Sequence, residues 1–125
     1  MKALVVDDQI SMRAVVGAAL RELGGMQVVE AADGAQAMLA LRGGGIDLVV
    51  SDWMMPVKDG IALLKEIRAD AALKAIPVVL LTGEGQREQV LEAIQSGVSD
   101  YIVKPFAPET LVEKVKRVMT KRAQG

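Results

Sequence analysis

Leu48-Val49-Val50-Ser51-Asp52 decides the fold: it is an apolar run of strand length that stops on a carboxylate. The same plan recurs three times. Leu4-Val5-Val6 runs into Asp7-Asp8, Val78-Val79-Leu80-Leu81 into Thr82, and Tyr101-Ile102-Val103 into Lys104-Pro105. Strands this apolar are buried on both faces, which a parallel sheet requires. Parallel strands end on one edge, so the closing residues gather along a single rim, where open α/β sheets place their sites.

Helical periodicity fills the gaps between the runs. Ser11 is expected to cap a helix through Leu23, burying Met12, Val15, Val16, Ala19, Leu20 and Leu23 before Gly24-Gly25 stops it. A short strand, Val28–Ala31, leads to Asp33-Gly34 and a helix through about Arg42. Gly43-Gly44-Gly45 reads as a turn, because it precedes a strand and a phosphate loop must open onto a helix. Pro56 to Gly60 turns into a helix carrying Ile61, Leu64 and Ile67, and Pro77 opens the fourth strand. A fourth helix, Arg87–Ser96, is expected to put Val90, Leu91 and Ile94 on one face and to end at Gly97. The last, from Pro108 to Lys121, is expected to bury Leu111, Val112, Val115, Val118 and Met119. Five βα units joined by right-handed crossovers predict one doubly wound α/β domain.

Composition narrows the chemistry. The 125 residues contain no cysteine and no histidine, which excludes disulfides, thiolate metal sites and histidine-based catalysis. Fifteen basic residues against sixteen acidic ones leave a net charge of −1, with no general attraction to nucleic acid. Lys116, Arg117, Lys121 and Arg122 read as solvated charges that suit a helix C-terminus. No apolar run is long enough to span a bilayer, and the start turns acidic too soon for a signal peptide. A cytoplasmic protein without membrane insertion is expected.

Bringing Asp7, Asp8 and Asp52 within about 5 Å makes each ionised pair repel by about 3 kcal/mol at an effective dielectric near 20. Raised pKa values, solvent exposure or a bound cation must relieve this. All-oxygen ligands in an incomplete cage favour Mg²⁺. A carboxylate beside such an ion can attack a phosphoryl group, with Lys104 neutralising the transferred oxygens and Thr82 donating its hydroxyl to one of them. Gly83 leaves the approach open. Each residue alone has a plain explanation, such as helix entry or a strand end. Their joint occurrence at four strand ends does not.

The segments Val5-Val6-Asp7-Asp8, Ser51-Asp52-Trp53-Met54-Met55-Pro56, Asp59-Gly60, Thr82-Gly83 and Asp100-Tyr101-Ile102-Val103-Lys104-Pro105-Phe106 carry a resemblance that spans the chain. It resembles the receiver domain of two-component response regulators, particularly the single-domain chemotaxis regulators. The resemblance implies a (βα)5 flavodoxin-like sandwich with sheet order 2-1-3-4-5, here a single receiver domain over 1–125 with no output domain. It implies that Asp52 accepts a phosphoryl group from a histidine kinase or small phosphodonor. Asp8, Asp52 and the Met54 backbone carbonyl would bind Mg²⁺, with Asp7 acting through water. Thr82 and Lys104 would contact the phosphoryl group, Lys104-Pro105 would be cis, and Tyr101 would be the aromatic switch answering Thr82. Such a protein is not an ordinary enzyme, although it catalyses its own phosphorylation and slow dephosphorylation. A monomer signalling to the flagellar motor switch is the expected output, with a phosphorelay intermediate or another kinase pathway as the runner-up. Phe106 is expected in the core, and Trp53 is expected to be a partly exposed neighbour of the site. The Gly83-Glu84-Gly85 loop is expected to move.

One position departs from the relatives. They often carry Asn two residues after the phosphorylated Asp, where this chain has Met54. A backbone ligand is indifferent to that change, so it bears on hydrolysis. Glu84 could offset it by reaching across the entrance. Two other classes fit less well. A haloacid dehalogenase-type phosphatase wants an acid where Met54 stands, and a flavin carrier's phosphate would meet Asp7 and Asp8.

Overall fold

The computed structural model describes residues 1–83 and 87–124. Along them run β1 Lys2–Val6, α1 Ile10–Arg21, β2 Gln27–Ala31, α2 Gly34–Arg42 and β3 Leu48–Asp52. Then follow α3 Gly60–Ala69, β4 Val78–Thr82, α4 Arg87–Gln95, β5 Asp100–Val103 and α5 Pro108–Gln124. The strands form one parallel sheet in the order β2-β1-β3-β4-β5, the flavodoxin-like arrangement.

Alternation along the strands builds two cores. Leu4 and Val6, Val49, and Val78 and Leu80 point to one face, covered by α2, α3 and Ala93 of α4. Ala3 and Val5, Leu48 and Val50, and Val79 and Leu81 point to the other, covered by α1 and α5. Burial on both faces holds for β1, β3 and β4, whereas edge strands β2 and β5 are only partly covered. Asp33 and Asp59 cap α2 and α3 by accepting from Gln36 N at 2.8 Å and Ala62 N at 2.9 Å. Such caps contribute about 1 kcal/mol each.

Several expectations are corrected. Ser11 is not a cap: α1 begins at Ile10 after Gln9, which makes no side-chain capping bond, and it ends at Arg21, short of Leu23. The arc α1 buries is centred on Val16, Ala19 and Leu20, so Val15 falls outside it and is exposed. In α5, Val112 and Met119 flank the buried Leu111, Val115 and Val118 and are only partly covered. On α4 the expected apolar face points outward. Leu91 is 54% exposed and Ile94 55%, Val90 is half-buried, and only Ala93 is buried. The reason lies in strand order: α4 packs beside the sheet edge at β5, where little sheet lies beneath it. Glu84 and Gly85, part of the loop expected to move, lie outside the described residues.

The loop from Asp52 to α3 is tightly held. A Cβ on Gly60 would lie 2.5 Å from the Asp52 carbonyl oxygen, so only glycine lets α3 start this close to the end of β3. Gly60 N also donates to Trp53 O at 2.8 Å. Between them, Lys58 N donates to Pro56 O at 2.7 Å around Val57, whose φ is +69° and whose side chain is 83% exposed. This is a γ-turn of the strained hand, centred on a β-branched residue. Gly34, at the start of α2, rests on Lys58, where a Cβ would come within 2.7 Å of the Lys58 carbonyl.

Candidate phosphoacceptor and metal site

Register brings the rim together. Val6 pairs with Ser51, so Asp7 and Asp52 come level, and Thr82 pairs with Val103 just before Lys104. Carboxylate oxygens of Asp7, Asp8 and Asp52 all lie within 4.8 Å of one another, with Asp8 exposed and the other two buried. The cluster expected from the strand ends is present.

Each buried group at the rim is incompletely matched. Asp7 Oδ1 accepts from Gln9 N at 2.9 Å, while its Oδ2 is buried without a partner. Burial pushes the Asp7 carboxyl above its ordinary value; the Gln9 bond and Lys104 oppose this, and the charges of Asp52 and Asp8 add to it. Thr82 Oγ1 is likewise buried with no partner. A buried hydroxyl without a hydrogen bond is costly, so it marks a place where an acceptor is wanted.

Asp52 Oδ1 accepts from Trp53 N and from Lys104 Nζ, each at 2.9 Å. Both side-chain bonds of this carboxylate fall on Oδ1, leaving Oδ2 for an incoming group. Lys104 N donates to Thr82 O at 2.7 Å, which ties the ammonium's strand to that of the hydroxyl. The Lys104-Pro105 peptide is cis, as expected. Three carboxylates, one with an unpartnered inward oxygen, form an all-oxygen donor set suited to a hard divalent cation such as Mg²⁺.

Trp53 corrects a further expectation: it is only 4% exposed and belongs to the core beneath the site. Its ring packs with the α2–α3 layer while its amide serves Asp52. Met54 is 68% exposed, at the surface beside Asp52. Phe106 packs against the α1–α5 core. Tyr101 is half-buried on β5, with Lys114 Nζ 5.3 Å from its ring centroid and donating to its carbonyl at 2.8 Å.

Two supports escaped the sequence reading. Arg13 of α1 donates to Asp7 O at 2.6 Å and pairs with Glu30 at 2.9 Å, holding the first carboxylate's backbone. Lys58 pairs with Glu66 and steadies the Val57 turn. Neither pair has a sequence signature, because each joins residues from different elements.

A profile of the response regulator receiver domain matches residues 3–116. Chemotaxis protein CheY-3 of Vibrio cholerae is 51% identical over 118 residues, covering 94% of this chain and 91% of the relative. Chemotaxis protein CheY of Pseudomonas aeruginosa is 45% identical over 118 residues, covering 94% and 95%. The solved structure of the response regulator CheY4 of Vibrio cholerae superposes with a TM-score of 0.86 at 38% identity, covering 94% of this chain and 97% of that one. A rim of acids, hydroxyl and ammonium on a 2-1-3-4-5 sheet, in a chain with these relatives, belongs to the response regulator receiver family.

Proposed function

We propose that this receiver domain is a phosphorylation-switched chemotaxis regulator, taking a phosphoryl group on Asp52 from a histidine kinase and signalling by binding a partner, the flagellar motor switch. The observation that carries the reading is the Asp7, Asp8 and Asp52 cluster, with Lys104 on one oxygen of Asp52 and the other oxygen free. Asp52 Oδ2 attacks phosphorus as the P–N bond of the donor breaks, its electrons return to that nitrogen, and the imidazole leaves neutral, keeping the proton its other nitrogen carries. Lys104 then follows the charge onto a phosphoryl oxygen, and the unpartnered Thr82 hydroxyl donates to another.

Asp8, Asp52 and the Met54 carbonyl would hold Mg²⁺, with Asp7 Oδ2 reaching it through water. When bound, the ion neutralises charge on the phosphoryl oxygens. The switch reading for Thr82 and Tyr101 rests on their placement. Thr82 lies at the end of β4, and Tyr101 sits half-buried on the adjacent β5, two residues before Val103, which pairs with Thr82; Leu91 and Ile94 of α4 and Val103 of β5 are exposed. That surface of α4, β5 and α5 is the output face. In this role the protein acts as a cytoplasmic monomer, and no helix among the described residues is long and apolar enough to cross a membrane.

The experiment is labelling with phosphoramidate and Mg²⁺, followed by pull-down from the native cell with and without phosphate. Wild type should label stoichiometrically and capture motor-switch protein only when labelled, and Asp52→Asn should do neither. Stoichiometric label on Asp52→Asn would refute the acceptor. Phosphate-dependent capture of a phosphotransfer protein in place of the switch would move the chain to a phosphorelay.

A further inference from the structure

At the amino edge of the sheet, remote from the carboxylates, Arg68 gathers acceptors from two segments, the α3–β4 and α4–β5 connections. Its Nε donates to Gly97 O at 2.8 Å, Nη1 to Ile76 O at 2.6 Å and Lys74 O at 3.2 Å, and Nη2 to Ser99 Oγ at 3.3 Å. Ser99 Oγ in turn accepts from Val78 N at 3.0 Å, at the first residue of β4. Gly97 has φ +91°, and a Cβ there would lie 3.3 Å from Arg68 Nε. The backbone that ends α4 is therefore seated directly on the guanidinium. No ion pair among the described residues includes Arg68, so its charge is spent on carbonyls and a hydroxyl. A planar fork of donors suits this; an ammonium reaches fewer acceptors at once.

Among the described residues, the ties of α4 cluster toward its C-terminal end. Ala93 is its buried residue, Val98 just beyond it packs on the same core, and Glu92 pairs with Lys65 at 3.0 Å. All of these lie in the C-terminal half of the helix or just past it. At the other end Arg87 and Glu88 are exposed and Gln89 and Val90 half-buried, and this end stands five residues after Thr82 in the chain.

We propose that Arg68 is a positioning residue of the switch: it fixes the C-terminal end of α4, so that the helix answers phosphorylation as a lever pivoting at Gly97 and swinging at its Thr82 end. The proposal rests on Asp52 being the phosphoacceptor and says how that event reaches the output face. A fixed pivot directs the response into Val90 and Leu91 and prevents it from dissipating in the α4–β5 turn.

Residue-resolved amide hydrogen exchange, with and without phosphoramidate and Mg²⁺, tests this in the full chain. In wild type, phosphorylation should alter exchange at Val90 and Leu91 and leave Ser96, Gly97 and Val98 unchanged. Arg68→Met should speed exchange at those last three amides about tenfold before phosphorylation, the effect of losing a charge-assisted bond. It should also spread the phosphorylation response through them, while Asp52 labels at the wild-type rate. Arg68→Lys should restore part of the gradient, which a general loss of packing would not explain. A labelled wild type with a uniform response along α4 overturns the lever. So does a folded Arg68→Met whose exchange at Ser96 to Val98 matches wild type. A wild type that takes no label overturns the receiver reading and the lever with it.

Discussion

The two edges of one sheet treat polar groups in opposite ways. At the carboxyl edge, carboxylates crowd within 4.8 Å, and Asp7 Oδ2 and Thr82 Oγ1 are buried without partners. At the amino edge, a single guanidinium serves three carbonyls and a hydroxyl. The first edge leaves buried polar atoms unmatched, where the proposed ion and phosphoryl group would find partners, and the second satisfies its charge on fixed backbone. A receiver needs both, because a ligand can shift only an element whose competing states differ in their contacts with it.

The comparison breaks most readily at Asp7. Asp7→Asn removes a crowded, buried charge and should stabilise the ion-free protein by about 2 kcal/mol at neutral pH, read as a shift in urea midpoint. Because the folded-state value is raised, Asp7's contribution to stability is fully present below its unfolded value, about 3.9, and is lost as pH rises through the folded one. The gap between variant and wild type should therefore widen as pH rises from below about 3.9 through the raised folded value, in the absence of Mg²⁺. An unchanged gap would show that Asp7 is not strained by its neighbours.

Thr82→Val keeps the shape and deletes the unpartnered hydroxyl, so stability should rise by about 1 kcal/mol. Label should still be accepted, and the response of α4 should weaken. A destabilised Thr82→Val would mean that the hydroxyl is already satisfied. Next comes Met54→Asn. An amide beside Asp52 can hold an attacking water where a thioether cannot, so the phosphorylated form should decay about threefold faster. Decay after donor removal, at saturating Mg²⁺, measures this, and slower decay would contradict it. The smallest effect belongs to α4's other tie. Lys65 and Glu92 are both well exposed, and Lys65→Ala should change stability by less than about 0.5 kcal/mol, leaving Arg68 as the anchor that matters.

Strand ends were legible because parallel strands deliver their last residues to a common edge whatever packs around them. Asp7, Asp8, Asp52, Thr82 and Lys104 could therefore be assembled from sequence, along with five βα units and a single sheet. Helix faces were less legible. Leu91 and Ile94 have core-like spacing, yet their fate depends on how much sheet lies beneath α4, and that is settled by β5 being an edge. Proximity to Asp52 says nothing of the direction of the Trp53 ring, which turns into the core. Ser11 looked like a cap, but the helix begins before it. Arg68 left no trace because its principal acceptors are backbone carbonyls, which every residue possesses.

The γ-turn at Val57 has a consequence for how such a protein changes over generations. Left to itself, a β-branched residue would leave that conformation, so its neighbours impose the turn. Gly34 of α2 presses on Lys58, and Glu66 of α3 grips Lys58 while reaching Arg42 at the far end of α2. The segment carrying Met54 is thus suspended from a helix that contributes no chemistry. Under the proposed function, drift along α2 would retune the hold on the ion, and with it the duration of the signal, while every residue proposed to meet phosphate stays the same.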